Sequence, residues 1–267
     1  MDNLKKASEK INHAPFYYKG KGKNEKIGIV VVHGFTGSPH SMRDWAHFLA
    51  SKGYQVRMPL LPGHGTSPHD LKHVHWQEWQ RAVFKEIYQL NNSCSAVFIA
   101  GLSMGGALSL RAAEEAIVDG AVIVNPALTI PDKRSFLLSI MKYFVKTVPG
   151  IGNDIKKSGV TEGAYTEVSV SATHELKKLL TVTRRNLNKI KVPILLFRST
   201  KDKVVPDSDI RILEHKVGKK YLEKQLLHES YHVATVDNDA HLIFEESEKF
   251  IQAIISTLPS SSREQNL

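Results

Sequence analysis

The chain contains a single cysteine, Cys94, among its 267 residues. One thiol excludes an internal disulfide and a cysteine-rich metal centre, and it fits a reducing compartment. Long apolar runs are missing too. No stretch reaches the ~20 residues needed to span a bilayer. Positive charge near Met1 is not followed by an apolar segment, so the pattern of a secretory leader is lacking and a cytoplasmic location is expected. No internal repeat is present, which excludes solenoid and propeller architectures. Acidic residues are the minority: 27 Asp and Glu face 36 Lys and Arg, a net charge of +9. That excess favours anionic surfaces. No nucleic-acid motif accompanies the lysine clusters, so no nucleic-acid partner is expected, while loose contact with an anionic membrane stays open.

What is present describes one large α/β domain. Hydrophobic residues make up 42% and charged residues 24%, ordinary for a globular chain. Ile27, Ile29, Val30, Val31 and Val32 form a near-continuous apolar run, the mark of a strand buried on both faces of a parallel sheet. Further strands are expected at Tyr54–Met58, Ala96–Ala100, Gly120–Val124, Pro193–Arg198 and Gln225–Leu227. Helical stripes fall between them: Met42, Trp45, Phe48 and Leu49; Trp76, Trp79, Val83, Ile87 and Leu90; and Leu242 to Ile255. Ser38 and Pro39 read as the cap and first residue of the first of these helices. Alternating strands and helices imply a mainly parallel central sheet with helices on both faces. Roughly sixty residues separate Pro126 from Pro193, too many for a bare loop, and 128–190 is expected to be an inserted helical cap with helical patterns at Phe136–Val145 and Leu176–Leu187. The domain is placed at 26–258. A lysine-rich segment, 1–25, precedes it and is expected to be loosely held apart from an edge strand at Phe16–Tyr18. A flexible polar tail, 259–267, follows.

The chemistry centres on Gly101-Leu102-Ser103-Met104-Gly105. A strand leads in and a helical pattern leaves, the context in which G-x-S-x-G carries a nucleophile on a sharp turn. A serine hydroxyl needs a base, and the base needs an orienting acid. On this kind of sheet the chain order is Ser, acid, His. Of the 13 histidines, His215, His228, His232 and His241 come late enough. His232, in the loop before the last helix, is the best placed. Asp202, in the loop after the Pro193–Arg198 strand, is the candidate acid; Asp207 and Asp209 read as helix-start residues. The tetrahedral intermediate needs two N–H donors, and the amides of Met104 and Phe35 are in the right places. His33 and His64 read as braces of the neighbouring loops. His73 and His75 lack a third ligand, so neither a metal nor a cofactor is expected.

The run from His33 to Arg43, Gly63-His64-Gly65-Thr66, the serine turn and Ser230-Tyr231-His232-Val233-Ala234-Thr235-Val236-Asp237 together resemble the bacterial monoacylglycerol lipases and their carboxylesterase relatives, in the α/β-hydrolase superfamily. The resemblance runs from about Ile27 to Ile255. It implies the α/β-hydrolase fold and a triad of Ser103, Asp202 and His232, with Phe35 and Met104 in the oxyanion hole. It further implies an apolar acyl tunnel and a small polar glycerol pocket in the cap. Glu162, within Thr161–Tyr165, is the glycerol-binding candidate, and Asn125 is a second polar candidate. The expected activity is hydrolysis of monoacylglycerols by a serine esterase through an acyl-enzyme. A broad carboxylesterase on short- to medium-chain esters is the alternative in the same class, and a non-catalytic binding protein on this fold is the alternative outside it. The partner is a small lipid ester, with peripheral membrane contact through the cap and a monomer or homodimer both open.

Overall fold

The computed structural model describes residues 10–131, 147–150 and 152–258. In chain order the elements are β1 (Phe16–Tyr18), β2 (Ile27–Val32), α1 (Arg43–Ser51), β3 (Gln55–Met58), α2 (Pro68–Leu71), α3 (Trp76–Asn91), β4 (Ala96–Leu102), α4 (Met104–Glu114) and β5 (Gly120–Val124). There follow β6 (Thr147–Pro149), β7 (Glu167–Ser169), α5 (Val170–Asn186), β8 (Ile194–Ser199), α6 (Asp207–Val217), β9 (Leu222–Leu227) and α7 (Ala240–Thr257). Seven strands form the main sheet in the order β1-β3-β2-β4-β5-β8-β9. All pair in parallel except β1, which runs antiparallel to β3.

Strand periodicity divides the core into two layers. Val30 and Val32 of β2, Val97 and Ile99 of β4, and Ala121 and Ile123 of β5 face one side, with Trp79, Val83 and Ile87 of α3 and Leu108 of α4. Their strand neighbours Ile29, Val31, Phe98, Ala100, Val122 and Val124 face the other, against Trp45 and Leu49 of α1 and Phe244 and Ile251 of α7. Residues two apart on a strand share a face, so one apolar run supplies both layers. The chain winds outward from β2 in one direction and from β4 in the other. The crevice between the carboxyl ends of these two strands is therefore the switch point where such sheets bind ligands.

The stretch expected as cap, 128–190, proves to be two things. Its second half, α5, packs Ala172 and Leu179 into the same core layer as α3 and α4. It is the crossover helix from β5 to β8, because a parallel connection must return across a face of the sheet. Before it stand 152–166 and the antiparallel pair β6–β7. The helical pattern at Phe136–Val145 lies outside the described residues. Residues 10–25 are better held than their composition suggests. β1 pairs in register with β3, Lys21 N–H donates to Gly53 O at 2.9 Å, and His13 Nδ1 lies 2.8 Å from Ser38 Oγ. Among the described residues no helix is long and apolar enough to cross a membrane.

Candidate active site

Ser103 stands between β4 and α4 with φ 55° and ψ −113°. Side chains with a Cβ rarely adopt this conformation, so the surroundings must impose it. Ser103 N–H donates to Val124 O at 3.0 Å, and Ser103 O accepts from Ala107 N–H at 3.0 Å and Ala127 N–H at 3.3 Å. The flanking glycines are required by proximity. A Cβ on Gly105 would lie 2.2 Å from Val32 O, and one on Gly101 would lie 2.3 Å from Gly105 O. The turn thus brings α4 directly against β2 and aims its positive end at the serine.

The loop after β2 passes beside the serine: a Cβ on Gly34 would sit 3.5 Å from Ser103 Cβ. Neither Phe35 N–H nor Met104 N–H is used in a hydrogen bond among the described residues. Both therefore remain available to an oxyanion. The loop is braced by buried rings. His33 Nε2 accepts from Leu61 N–H at 3.2 Å, so its proton is on Nδ1, which donates to Gly34 O at 2.9 Å. His64 Nδ1 and Trp79 Nε1 both donate to Pro62 O, at 3.0 and 3.1 Å. The Phe35 ring meets His64 and Trp79 edge-on at 6.1 and 5.8 Å. Burial pushes His33 down to about 3, helped by the neighbouring His64, and burial pushes His64 down to about 4. Both rings are neutral at pH 7 and act as braces.

The loops after β8 and β9 bring Asp202 to His232. His232 Nδ1 lies 3.0 Å from Asp202 Oδ2. Asp202 Oδ1 accepts from Val204 N–H at 2.8 Å and Val205 N–H at 3.0 Å. Burial alone would raise the Asp202 carboxyl, but hydrogen bonding to His232, its charge and the two amides outweigh this and hold it below the usual range. His232 Nε2 is left to face a nucleophile. Ser103 Oγ has no hydrogen bond among the described residues, and such contacts commonly tighten only when substrate binds. The other late histidines lie elsewhere. His241 packs on Phe244, and His215 is exposed in the last turn of α6.

Arg198, unforeseen from the sequence, completes the acid. Its guanidinium donates to Asp202 Oδ2 at 2.7 Å, Val205 O at 2.8 Å and Asp207 Oδ1 at 2.8 Å. An arginine directly after the apolar run Ile194–Phe197, within the same strand, was the available signal, since such a residue is buried only with partners. Removing it takes the guanidinium away from the fully buried Asp202 carboxylate, which keeps only His232 and two amides. Arg198→Met is therefore expected to cost about 3–5 kcal/mol, seen by calorimetry as a fall in Tm on the order of 10 °C.

Glu162 is brought to the site. Its Oε1 accepts from Asn153 N–H at 2.6 Å, and its Oε2 would lie 3.6 Å from a Cβ on Gly37, in the loop after β2. Burial raises its carboxyl, partly offset by the Asn153 amide and by His232. Asn125, the second polar candidate, stands just after β5. Its Nδ2 donates to Ser199 Oγ at 2.9 Å and His232 O at 2.8 Å, and its Oδ1 accepts from Ser199 N–H at 2.9 Å. Both amide protons are committed, so the residue joins the end of β8 to the loop that carries His232. Among the described residues no cluster of three metal-ligating side chains occurs.

An elbow serine, two unpaired amides and an Asp–His pair at one sheet edge form the arrangement that a triad-type serine hydrolase requires. The alpha/beta hydrolase family model matches residues 29–253, and the chain belongs to that family. It is 36% identical over 240 residues to the thermostable monoacylglycerol lipase of Bacillus sp. (strain H-257), covering 88% of this chain and 93% of that one. It is 22% identical to a carboxylesterase of Bacillus subtilis (strain 168), over 91% of this chain and 98% of the other. Among solved structures, one from the metagenome-derived lipolytic enzymes LipS and LipT has a TM-score of 0.85 at 37% identity, covering 90% of this chain and 98% of that chain. Monoacylglycerol lipase from Paleococcus ferrophilus shares the fold, with a TM-score of 0.71 at 19% identity and coverage of 91% and 98%.

Proposed function

We propose that the chain hydrolyses monoacylglycerols to glycerol and fatty acid. Ser103 Oγ attacks the ester carbonyl while His232 Nε2 takes its proton. Asp202 keeps the other imidazole proton on Nδ1 and stabilises the imidazolium that forms. The carbonyl oxygen, now negative, accepts from Phe35 and Met104 N–H. His232 then protonates the leaving glycerol oxygen, and Ser103 carries the acyl group. Water, deprotonated by His232, attacks this ester and releases the acid. The reading needs neither cofactor nor metal. The net charge of +9 favours contact with anionic lipid, from which single-chain substrates are drawn.

The observation that supports glycerol as the alcohol is Glu162, a buried carboxylate with one oxygen tied to Asn153 and the other facing the loop that carries Phe35. Free hydroxyls of glycerol donate to such an oxygen; a methyl ester has nothing to donate. Glu162→Ala is expected to lower kcat/KM for a medium-chain monoacylglycerol about 10- to 100-fold, the worth of a charged hydrogen bond. The methyl ester of the same acid should change by no more than about twofold. Equal hydrolysis of both esters by the unaltered protein would instead assign a general carboxylesterase.

A further inference from the structure

A short piece of the cap lies across both triad loops. Asp154 Oδ2 accepts from His232 N–H at 3.2 Å and from Lys203 N–H at 3.3 Å. Its carbonyl accepts from Val233 N–H at 3.1 Å. One carboxylate oxygen therefore holds the base itself and the residue after the acid. These belong to separate loops, following β9 and β8. Two and three residues on, Lys156 and Lys157 N–H donate to the Asp237 carboxylate at 2.7 and 2.9 Å. The same carboxylate accepts from Tyr231 N–H at 2.9 Å. The base is thus tied to the cap directly through Val233 on one side and, through Asp237, on the other.

The preceding residue points to the alcohol side. Asn153 N–H donates to Glu162 Oε1 at 2.6 Å, and Asn153 Oδ1 accepts from Glu162 N–H at 2.9 Å and Thr161 Oγ1 at 2.9 Å. Asn153 takes φ 57° to make this reversal. Adjacent residues of one strand of chain therefore grip Glu162 and the triad. Below the triad, Asn125 clasps the same two loops from the end of β5. Other ties between the two segments, Ser199 Oγ to Tyr231 O at 2.7 Å and Thr200 N–H to Leu227 O at 2.9 Å, also lie at the strand ends below, and Asp154 is the clasp above.

We propose that Asp154 is a positioning residue: it sets the separation of Asp202 and His232 and couples that separation to the carboxylate Glu162. The coupling to Glu162 rests on the alcohol-pocket reading above; the clasp on the triad does not. Backbone amides to a carboxylate form strong, directional bonds, and a base displaced by about 1 Å loses on the order of a hundredfold in rate.

The test compares the unaltered protein with Asp154→Ala and Asp154→Asn. Three readouts are taken well below each protein's Tm. They are kcat and KM on a medium-chain monoacylglycerol, the same constants on the matching methyl ester, and the rate of covalent inactivation by a small alkyl fluorophosphonate. The last reports Ser103–His232 reactivity without any alcohol pocket. Asp154→Ala is expected to lower kcat about a hundredfold on both esters and to slow phosphonylation in proportion, with KM little changed. Asp154→Asn keeps an acceptor oxygen and should restore activity to within a few-fold of the unaltered protein. Unchanged kcat and phosphonylation in Asp154→Ala would overturn the proposal, as would a defect confined to KM or an Asn variant no better than Ala. If the unaltered protein shows no preference for the monoacylglycerol, the alcohol pocket fails and the link to Glu162 goes with it. The phosphonylation rates still decide whether Asp154 positions the base.

Discussion

Replacing Ser103 by alanine is expected to lower kcat by about a millionfold, the scale on which a triad nucleophile is lost. What survives reflects the remaining site acting on water, not a weakened version of the same reaction. Hydrolysis of the monoacylglycerol by the purified variant, followed by titration of released acid, checks this. A residual rate above about a hundredth of the original would mean that another group attacks the ester. The strained backbone allows a second comparison. Alanine keeps the Cβ at φ 55° and therefore keeps the strain, whereas glycine adopts this region freely. Strain of this kind costs about 1–3 kcal/mol, against about 0.5–1 kcal/mol for the extra freedom of an unfolded glycine. Ser103→Gly should be as inactive as Ser103→Ala and should melt a few degrees higher.

Asp202→Asn is expected to reduce kcat by about ten thousandfold with little change in fold geometry. The amide lets the imidazole settle with its proton on the wrong nitrogen, leaving Nε2 unable to accept from Ser103. It also removes the charge that stabilises the imidazolium and faces Arg198. A pre-steady-state burst separates the two stages: acylation should slow before deacylation becomes visible. Stability carries a pH signature of the same residue. The folded Asp202 carboxyl is held below its ordinary value. Its contribution is therefore complete above about pH 4, the unfolded value, and is lost as pH falls through the folded value. Acid should lower the Tm of the unaltered protein in that window more steeply than that of Asp202→Asn.

The elbow was legible because everything that defines it is local. A buried strand, two glycines and a helix stand within a few residues of Ser103, and sterics alone require that arrangement. The sheet was legible for a similar reason: apolar runs such as Ile27–Val32 are long and uninterrupted. β9 was harder. It extends from Leu222, not Gln225, and Glu223 and Lys224 on an exposed edge strand hide its period. Helix α5 carries an ordinary amphipathic pattern that reads alike in a cap or a core. Only its packing beside α4 distinguishes the two. Residues 10–25 looked loose by composition, yet their anchors, Gly53, Ser38 and Arg43, lie far along the chain.

The sequence by itself determined the α/β architecture, the sharp strand–turn–helix that carries Ser103, and the chain order in which Asp202 and His232 follow it. These depend on local sterics, hydrophobic period and the direction of the chain. Tertiary structure decided which polar groups meet. Arg198 was assigned to Asp202, Asn125 to Ser199 and the His232 carbonyl, and Asp154 to two loops at once. Each of these is a hydrogen bond whose partners are brought together by strands that are neighbours in space and distant in sequence, and side-chain type alone does not specify which donor an oxygen will find.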